Sequence, residues 1–165
     1  MSNPNSSYFP LSLGSIWAFG SQLQTISDTA TIQGKLCYGL SLWPDNPPDY
    51  WFRNSGDSVF IYDVPRINDT ANGLLFNFGA NIGDTLTLPR RLECSFGSKI
   101  ILVNKNETVT TPAGIFKNCA HFVHRSSCSD SGILESWYAR GGGRIKYTAN
   151  NYSGIQIYVL TAFSL

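Results

Sequence analysis

Short runs of β-branched and aromatic residues, separated by turn residues, extend along almost the whole chain. Residues 155–165 form the clearest run, because a single extended strand there would place alternate positions on one apolar face: Ile155, Ile157, Val159, Thr161 and Phe163. In residues 59–62 the apolar side chains fall on both faces, which predicts a strand covered on each side or one lining a cavity. Residues 70–78 are compatible with a short helical turn, which Asn72 and Gly73 weaken.

Glycine and proline mark the points where these runs end. A break at Gly34 predicts a hairpin, residues 54–57 and 141–144 predict strand corners, and Pro112 with Gly114 predicts a turn between two strands. Roughly nine to eleven strands follow at intervals of about 8–15 residues. The chain is therefore predicted to be mainly β, an antiparallel meander forming a curved sheet, a sandwich or a partly open barrel, with little or no helix. We expect residues 1–7 to be a flexible lead and residues 8–165 to form a single β domain.

Composition narrows the possible partners. Only 14% of the 165 residues are charged and the net charge is +1, so the basic surface of a nucleic-acid-binding protein is missing. No segment approaches the roughly 18 apolar residues that span a membrane. We expect neither nucleic acid as a partner nor a membrane span.

Four cysteines and two histidines are the candidate metal ligands. The spacings of Cys37, Cys94, Cys119 and Cys128 match no zinc template, and their pairing is open, with a Cys119–Cys128 bridge across a hairpin as one candidate. His121 and His124 would point to opposite faces of a strand, because their separation is odd. We therefore expect no metal and no cofactor.

Catalytic signatures are also missing from the sequence. The chain has no GxSxG elbow, its carboxylates are scattered over predicted turns, and the glycines at 141–143 lack the Lys-Ser/Thr that follows in a phosphate-binding loop. We expect a protein that is not an enzyme.

Aromatic residues flank a proline-rich loop at positions 44–49, and they are the candidate binding site. The loop could cover an apolar pocket, and ordinary core packing is the alternative. The candidate ligand-binding residues are Trp43, Tyr50, Trp51, Phe52 and Trp137.

Four stretches together resemble a largely uncharacterised family of bacterial secreted proteins and lipoproteins. They are YFPLSLGSIWAFG at 8–20, NIGDTLTLP at 81–89, ETVTTPAGIFKNC at 107–119 and SWYARGGGRIKY at 136–147. The family motifs can be written YFPLxxGxxW, VTTPAGxFxxC and WYAxGxGxxK. This chain fits all three, but it has GGG at 141–143 where relatives tend to have Gly-Val-Gly. The resemblance implies an all-β envelope domain and supplies no catalytic residues.

The resemblance also bears on localisation. The first ten residues lack the charged start and apolar stretch of a signal peptide. Taken literally this indicates a cytosolic protein, but family members often follow an export or lipoprotein signal. We therefore expect a secreted or envelope protein whose signal is absent from this sequence, with a possible lipid anchor in the native precursor.

Three functions remain open. The first is a non-enzymatic exported or lipid-anchored β domain that binds an unknown protein or ligand. The second is an assembly module that pairs through exposed strands. The third is a carrier of a hydrophobic small molecule in an aromatic-lined pocket.

Overall fold

Two antiparallel sheets make up the described part of the chain, residues 7–63 and 73–165 of a computed structural model. Thirteen strands are formed there: β1 (Ile16–Phe19), β2 (Gln22–Ile32), β3 (Lys35–Ser41), β4 (Tyr50–Ser55), β5 (Ser58–Asp63), β6 (Gly73–Asn77), β7 (Thr85–Thr87), β8 (Lys99–Thr111), β9 (Gly114–Arg125), β10 (Gly132–Ala139), β11 (Gly143–Asn151), β12 (Gly154–Val159) and β13 (Ala162–Ser164).

The order of the strands confirms the predicted meander. One sheet has the order β13-β1-β2-β3-β4-β5-β6 and the other the order β12-β11-β10-β9-β8-β7. Neighbours in each sheet are consecutive in the chain, except that β13 returns to pair with β1. One of the two sheets is curled into a half-barrel, so the prediction of a mainly β, curved antiparallel fold is confirmed.

Turn residues fix the hairpins as expected. Between β2 and β3, Gln33 and Gly34 both have positive φ, at 52° and 72°, which suits the twist of a two-residue hairpin. Between β8 and β9 the turn is Pro112 and Ala113, with Thr111 paired to Gly114. The predicted corner at this point is confirmed.

The expected single strand over residues 155–165 is wrong. The chain leaves the six-stranded sheet after β12 and joins the seven-stranded sheet as β13. Leu160, fully buried at this crossing, donates its backbone N–H to the Ile145 carbonyl, and Thr161 donates to the Ala18 carbonyl. The crossing ends the alternation after β12, and Ile155 and Ile157 of that edge strand are exposed.

The apolar core lies between the two sheets, and a smaller apolar cluster covers the opposite face of β3–β5. Val59 and Ile61 belong to the main core, whereas Tyr62 joins the smaller cluster with Trp51 and Cys37. The prediction that both faces of residues 59–62 are covered is therefore confirmed.

Helical structure in the described residues includes a 3-10 turn at Arg90–Leu92 followed by the short helix α1 (Glu93–Phe96). This helix carries Cys94, which forms a disulfide with Cys128, while Cys37 and Cys119 are free and buried. The candidate Cys119–Cys128 bridge is therefore wrong, because Cys119 packs into the core.

Two predicted segments lie partly outside the residues that the structure describes. The flexible lead at 1–7 falls there except for Ser7, and so do residues 70–72 of the predicted helical turn. Of that turn, Gly73–Asn77 is the strand β6, since Leu75 and Phe76 are buried and the strand pairs with β5. The described part of the turn prediction is therefore wrong.

Candidate functional site

A cavity of about 240 Å³ lies between the two sheets. Its walls come from β1–β4 and β6 of one sheet, from β10 and β11 of the other, and from α1 and the segment at 9–11. Most of the lining is apolar, and representative wall residues are Leu11, Ile26, Leu40, Phe52, Leu75 and Ile133. A space of this size exceeds the roughly 150 Å³ cavity that can hold benzene inside a protein.

Two stretches that carry the sequence motifs meet at this cavity. Phe9, Pro10 and Trp17 from the first stretch line it, and Gly143 and Arg144 from the last do so as well. Close packing explains the need for glycine at the corner, because a Cβ atom at Gly143 would lie only 3.0 Å from the Trp17 indole nitrogen. The φ of +75° at Gly143 also favours glycine.

The Trp17 ring is fixed by a hydrogen bond to the same corner. Its indole N–H donates to the Gly142 carbonyl at 2.7 Å, in a buried position. A buried indole N–H requires such a partner. The glycine corner therefore positions the first stretch against the last, beside the cavity.

A bulge in β11 explains why Arg144 and Lys146 do not share a face. Trp137 pairs with Lys146 and Tyr138 pairs with Arg144, so Ile145 is an extra residue in β11. An extra residue shifts the alternation of side chains by one position. Arg144 consequently lines the cavity, whereas Lys146 contacts Trp137 away from it.

Four side chains give the cavity a polar region. The Arg144 guanidinium donates to the Gln24 Oε1 atom at 2.9 Å and lies 4.1 Å from the Tyr147 ring centroid. The Tyr147 hydroxyl donates to the Gln22 Oε1 atom at 2.7 Å. Burial raises the pKa of Tyr147, so its hydroxyl stays protonated and remains a donor.

The helix α1 contributes to the cavity wall and is fastened in several ways. Besides the disulfide of Cys94, the Glu93 carboxylate accepts hydrogen bonds from the backbone N–H and the hydroxyl of Ser127, at 3.0 and 2.6 Å. These bonds hold the pKa of Glu93 below its usual range. A further hydrogen bond joins β4 to α1, because the Tyr50 hydroxyl donates to the Ser95 hydroxyl at 3.3 Å.

On the other side of β9 and β10, a polar cluster is formed by Glu107, His121, Trp137 and Lys146. Glu107 accepts from His121 Nδ1 and from Trp137 Nε1, both at 2.7 Å. The His121 and Trp137 rings stack with centroids 4.2 Å apart, and the Lys146 ammonium lies 4.4 Å from the Trp137 ring centroid. Burial opposes ionisation of Glu107, but the bonds from His121 and Trp137 outweigh it, and its pKa is lowered.

His124 lies in the core and not with His121. Its Nδ1 donates to the Phe96 carbonyl at 2.6 Å, so in the neutral ring Nε2 accepts from the Ser136 hydroxyl at 2.7 Å. Burial lowers the pKa of His124 to about 4. The prediction that the two histidines point to opposite faces is confirmed, and no three His, Cys, Asp or Glu side chains of residues 7–63 and 73–165 form a metal ligand set.

The five predicted ligand-binding residues are not brought together. Tyr50 and Phe52 line the cavity. Trp43 is 61% exposed, Trp51 belongs to the smaller apolar cluster, and Trp137 lies in the polar cluster. Residues of the cavity that the sequence did not indicate include Gln22, Gln24, Arg144 and Tyr147, although the last motif stretch contains two of them.

A second cavity, of about 270 Å³, lies beside the edge strands β6 and β7. It shares Leu75 and Phe76 with the first cavity and includes the exposed Asp84. Its described lining residues include no cation like Arg144, so the first cavity is the stronger candidate site.

Comparison with known proteins identifies similar structures but no family. No protein-family model and no curated protein sequence matches the chain. A solved "putative lipoprotein" from Parabacteroides distasonis is 16% identical over 96% of this chain and 99% of its own, with a TM-score of 0.45. A solved "putative exported protein with YmcC-like fold" from Bacteroides fragilis is 14% identical over 97% of this chain and 100% of its own, with a TM-score of 0.46.

No helix among the described residues is both long and apolar enough to cross a membrane.

Proposed function

We propose that this protein is an exported, non-enzymatic β domain that binds a small hydrophobic molecule between its two sheets. The observation that carries the proposal is the cavity of about 240 Å³ with its largely apolar lining. Binding sites for small molecules are commonly concave, mostly apolar and supplied with a few polar groups. Here Gln22, Gln24, Arg144 and Tyr147 are those polar groups.

The disulfide supports export as part of this proposal. Cys94 and Cys128 are 34 residues apart and join α1 to the connection after β9. Disulfides persist mainly in oxidising compartments. Maleimide labelling of the denatured, unreduced protein from its host should modify two thiols, Cys37 and Cys119, and labelling of all four would contradict this part of the proposal.

A neutral fluorescent probe tests the binding proposal. Phenylnaphthylamine should bind with saturable fluorescence enhancement, because it carries no charge and prefers an apolar environment. Replacing Ala149, which lines the cavity, with tryptophan should fill the space and weaken probe binding by about tenfold or more.

Thr148→Trp is the matched control on the same strand. Thr148 is absent from the cavity lining, so this variant should bind the probe like the unaltered protein. Melting curves would verify that both variants are folded. A probe that does not bind, or one that binds Ala149→Trp unchanged, would contradict a binding site between the sheets.

Assembly through exposed strands is a second candidate, favoured by one observation. The strand β12 is an edge of its sheet, and its Ile155 and Ile157 side chains are 65% and 67% exposed. An edge strand of this kind can pair with the same strand of a second copy. Sedimentation should then give a dimer that Ile157→Lys converts to a monomer, whereas a monomeric unaltered protein would contradict this candidate.

A further inference from the structure

We propose that the ligand of this cavity is an amphiphile with a carboxylate head group, which binds the Arg144 guanidinium. The inference rests on the proposed binding function and names the chemical class of the ligand. Among the described residues that line the cavity, Arg144 is the only charged one. The bulge at Ile145 brings this cation inward, at a position where a regular strand would give Arg144 and Lys146 the same face.

The contacts of Arg144 neutralise none of its charge. The groups around it are neutral: the Gln24 amide oxygen, the Tyr138 hydroxyl, the Tyr147 ring and, 5.8 Å away, the Phe19 ring. Within residues 7–62 and 73–165, no carboxylate lies within ion-pair distance of Arg144. A partly buried cation without an anion is costly, so an incoming anion gains more here than at the surface.

The geometry of the donors favours a carboxylate. A guanidinium has five N–H groups in a planar fork, and the hydrogen bonds to Gln24 and to the Tyr138 hydroxyl leave others free for a ligand. A carboxylate can accept two parallel bonds from such a fork, and charge-assisted bonds of this kind are stronger than neutral ones. The Tyr147 hydroxyl is already directed at Gln22, which leaves the guanidinium as the principal donor.

The apolar remainder of the cavity determines the size of the apolar tail that the ligand can have. The described wall residues, with Ile26, Phe52, Leu75 and Ile133 among them, include no acid and no second cation. A volume of about 240 Å³ is below the usual range of roughly 300–1,000 Å³ for drug-sized ligands. One alkyl chain of medium length fits this description better than a lipid with two chains.

Three ligands with the same tail and different heads test the inference. Titration calorimetry would compare decanoate, decanol and decyltrimethylammonium, each below its aggregation and solubility limits. Decanoate should bind roughly tenfold or more tightly than decanol, and the cationic ligand should bind most weakly. Equal affinities of decanoate and decanol would overturn the inference while leaving the proposed function intact.

Variants at two positions of β11 test whether Arg144 is the residue that causes the preference for decanoate. Arg144→Met should lower the affinity for decanoate by about tenfold, so that decanoate loses its preference over decanol, and Arg144→Lys should retain part of the preference. Lys146→Met removes the same charge on the opposite face and should change neither affinity. A decanoate preference that survives Arg144→Met in a folded variant would overturn the inference, and failure of all three ligands to bind would overturn the proposed function with it.

Discussion

The two sides of the β10–β11 hairpin treat their charged groups differently. On the side away from the cavity, Glu107 is bonded to His121 and Trp137, and Lys146 lies over the Trp137 ring. On the cavity side, Arg144 is bonded to a neutral amide and faces an apolar space. The first arrangement satisfies its charges internally and suits a structural role. The second leaves a cation with no carboxylate partner among the described residues, and this is the group that the proposed carboxylate ligand would contact.

Removing the Trp137 ring should have the largest effect on stability. The ring is 6% exposed, stacks on His121 and carries the bond to Glu107. Trp137→Ala should therefore lower the free energy of unfolding by about 3–5 kcal/mol. Urea denaturation measures this change, and decanol binding by the folded fraction should be retained. A loss of ligand binding without a loss of stability would mean that the two sides of the hairpin are not separate in function.

The buried histidine of β9, His124, should make the stability of the protein depend on pH. His124 is buried with a pKa of about 4, below the ordinary 6.5, so the unfolded chain takes up its proton first as the pH falls. Stability from this residue is complete above about pH 6.5 and declines as the pH falls toward about 4. Between pH 6.5 and 5 the loss should be about 1.5 kcal/mol.

Urea denaturation at several pH values measures the loss from His124. His124→Gln, which cannot titrate, should flatten the profile over this interval. An equally steep profile in His124→Gln would assign the pH dependence to other groups.

Weakening the polar cluster through Glu107 should have a smaller effect. Glu107→Gln keeps the size of the side chain but removes the charge that both hydrogen bonds use. The free energy of unfolding should fall by about 1–2 kcal/mol at neutral pH. Asp57→Asn is a control, because Asp57 is exposed and its contact with Arg140 is 3.9 Å long. A Glu107→Gln protein as stable as that control would show that the cluster contributes little.

The smallest stability effect is expected at Arg144. Arg144→Met gives up the bond to Gln24, but it also removes a partly buried cation without an anionic partner. These changes oppose each other, so the free energy of unfolding without ligand should change by less than about 1 kcal/mol. Thermal melting of the ligand-free protein measures this. A loss of several kcal/mol would assign Arg144 a structural role like that of Glu107.

Local patterns were enough to predict much of the fold. Alternation and turn residues identified the hairpin at Gln33 and Gly34, the corner at Pro112 and the opposite directions of His121 and His124. These features depend on a few neighbouring residues and on backbone geometry. The final strand was wrong because the crossing at Leu160 depends on carbonyls of Ile145 and of Ala18 in distant strands.

The site was harder to predict, because it depends on which distant segments meet. Trp51 and Trp137 are aromatic like Tyr50 and Phe52. Only Tyr50 and Phe52 line the cavity. Nothing in the residues around Ile145 indicates that it forms a bulge, and without the bulge the direction of Arg144 is unknown. The pairing of Cys94 with Cys128 likewise depends on the position of α1. The first and last motif stretches were the one available signal, since both contribute to the cavity wall.

Intermolecular nuclear Overhauser effects between decanol and labelled isoleucine methyl groups test the site between the sheets most directly. The chain offers a matched set, because Ile26 and Ile133 line the cavity, whereas Ile155 and Ile157 are exposed on β12. A ligand between the sheets should give contacts to the methyl groups of Ile26 and Ile133 and none to those of Ile155 and Ile157. Contacts confined to the β12 isoleucines, or no contacts at saturating decanol, would contradict the proposed function.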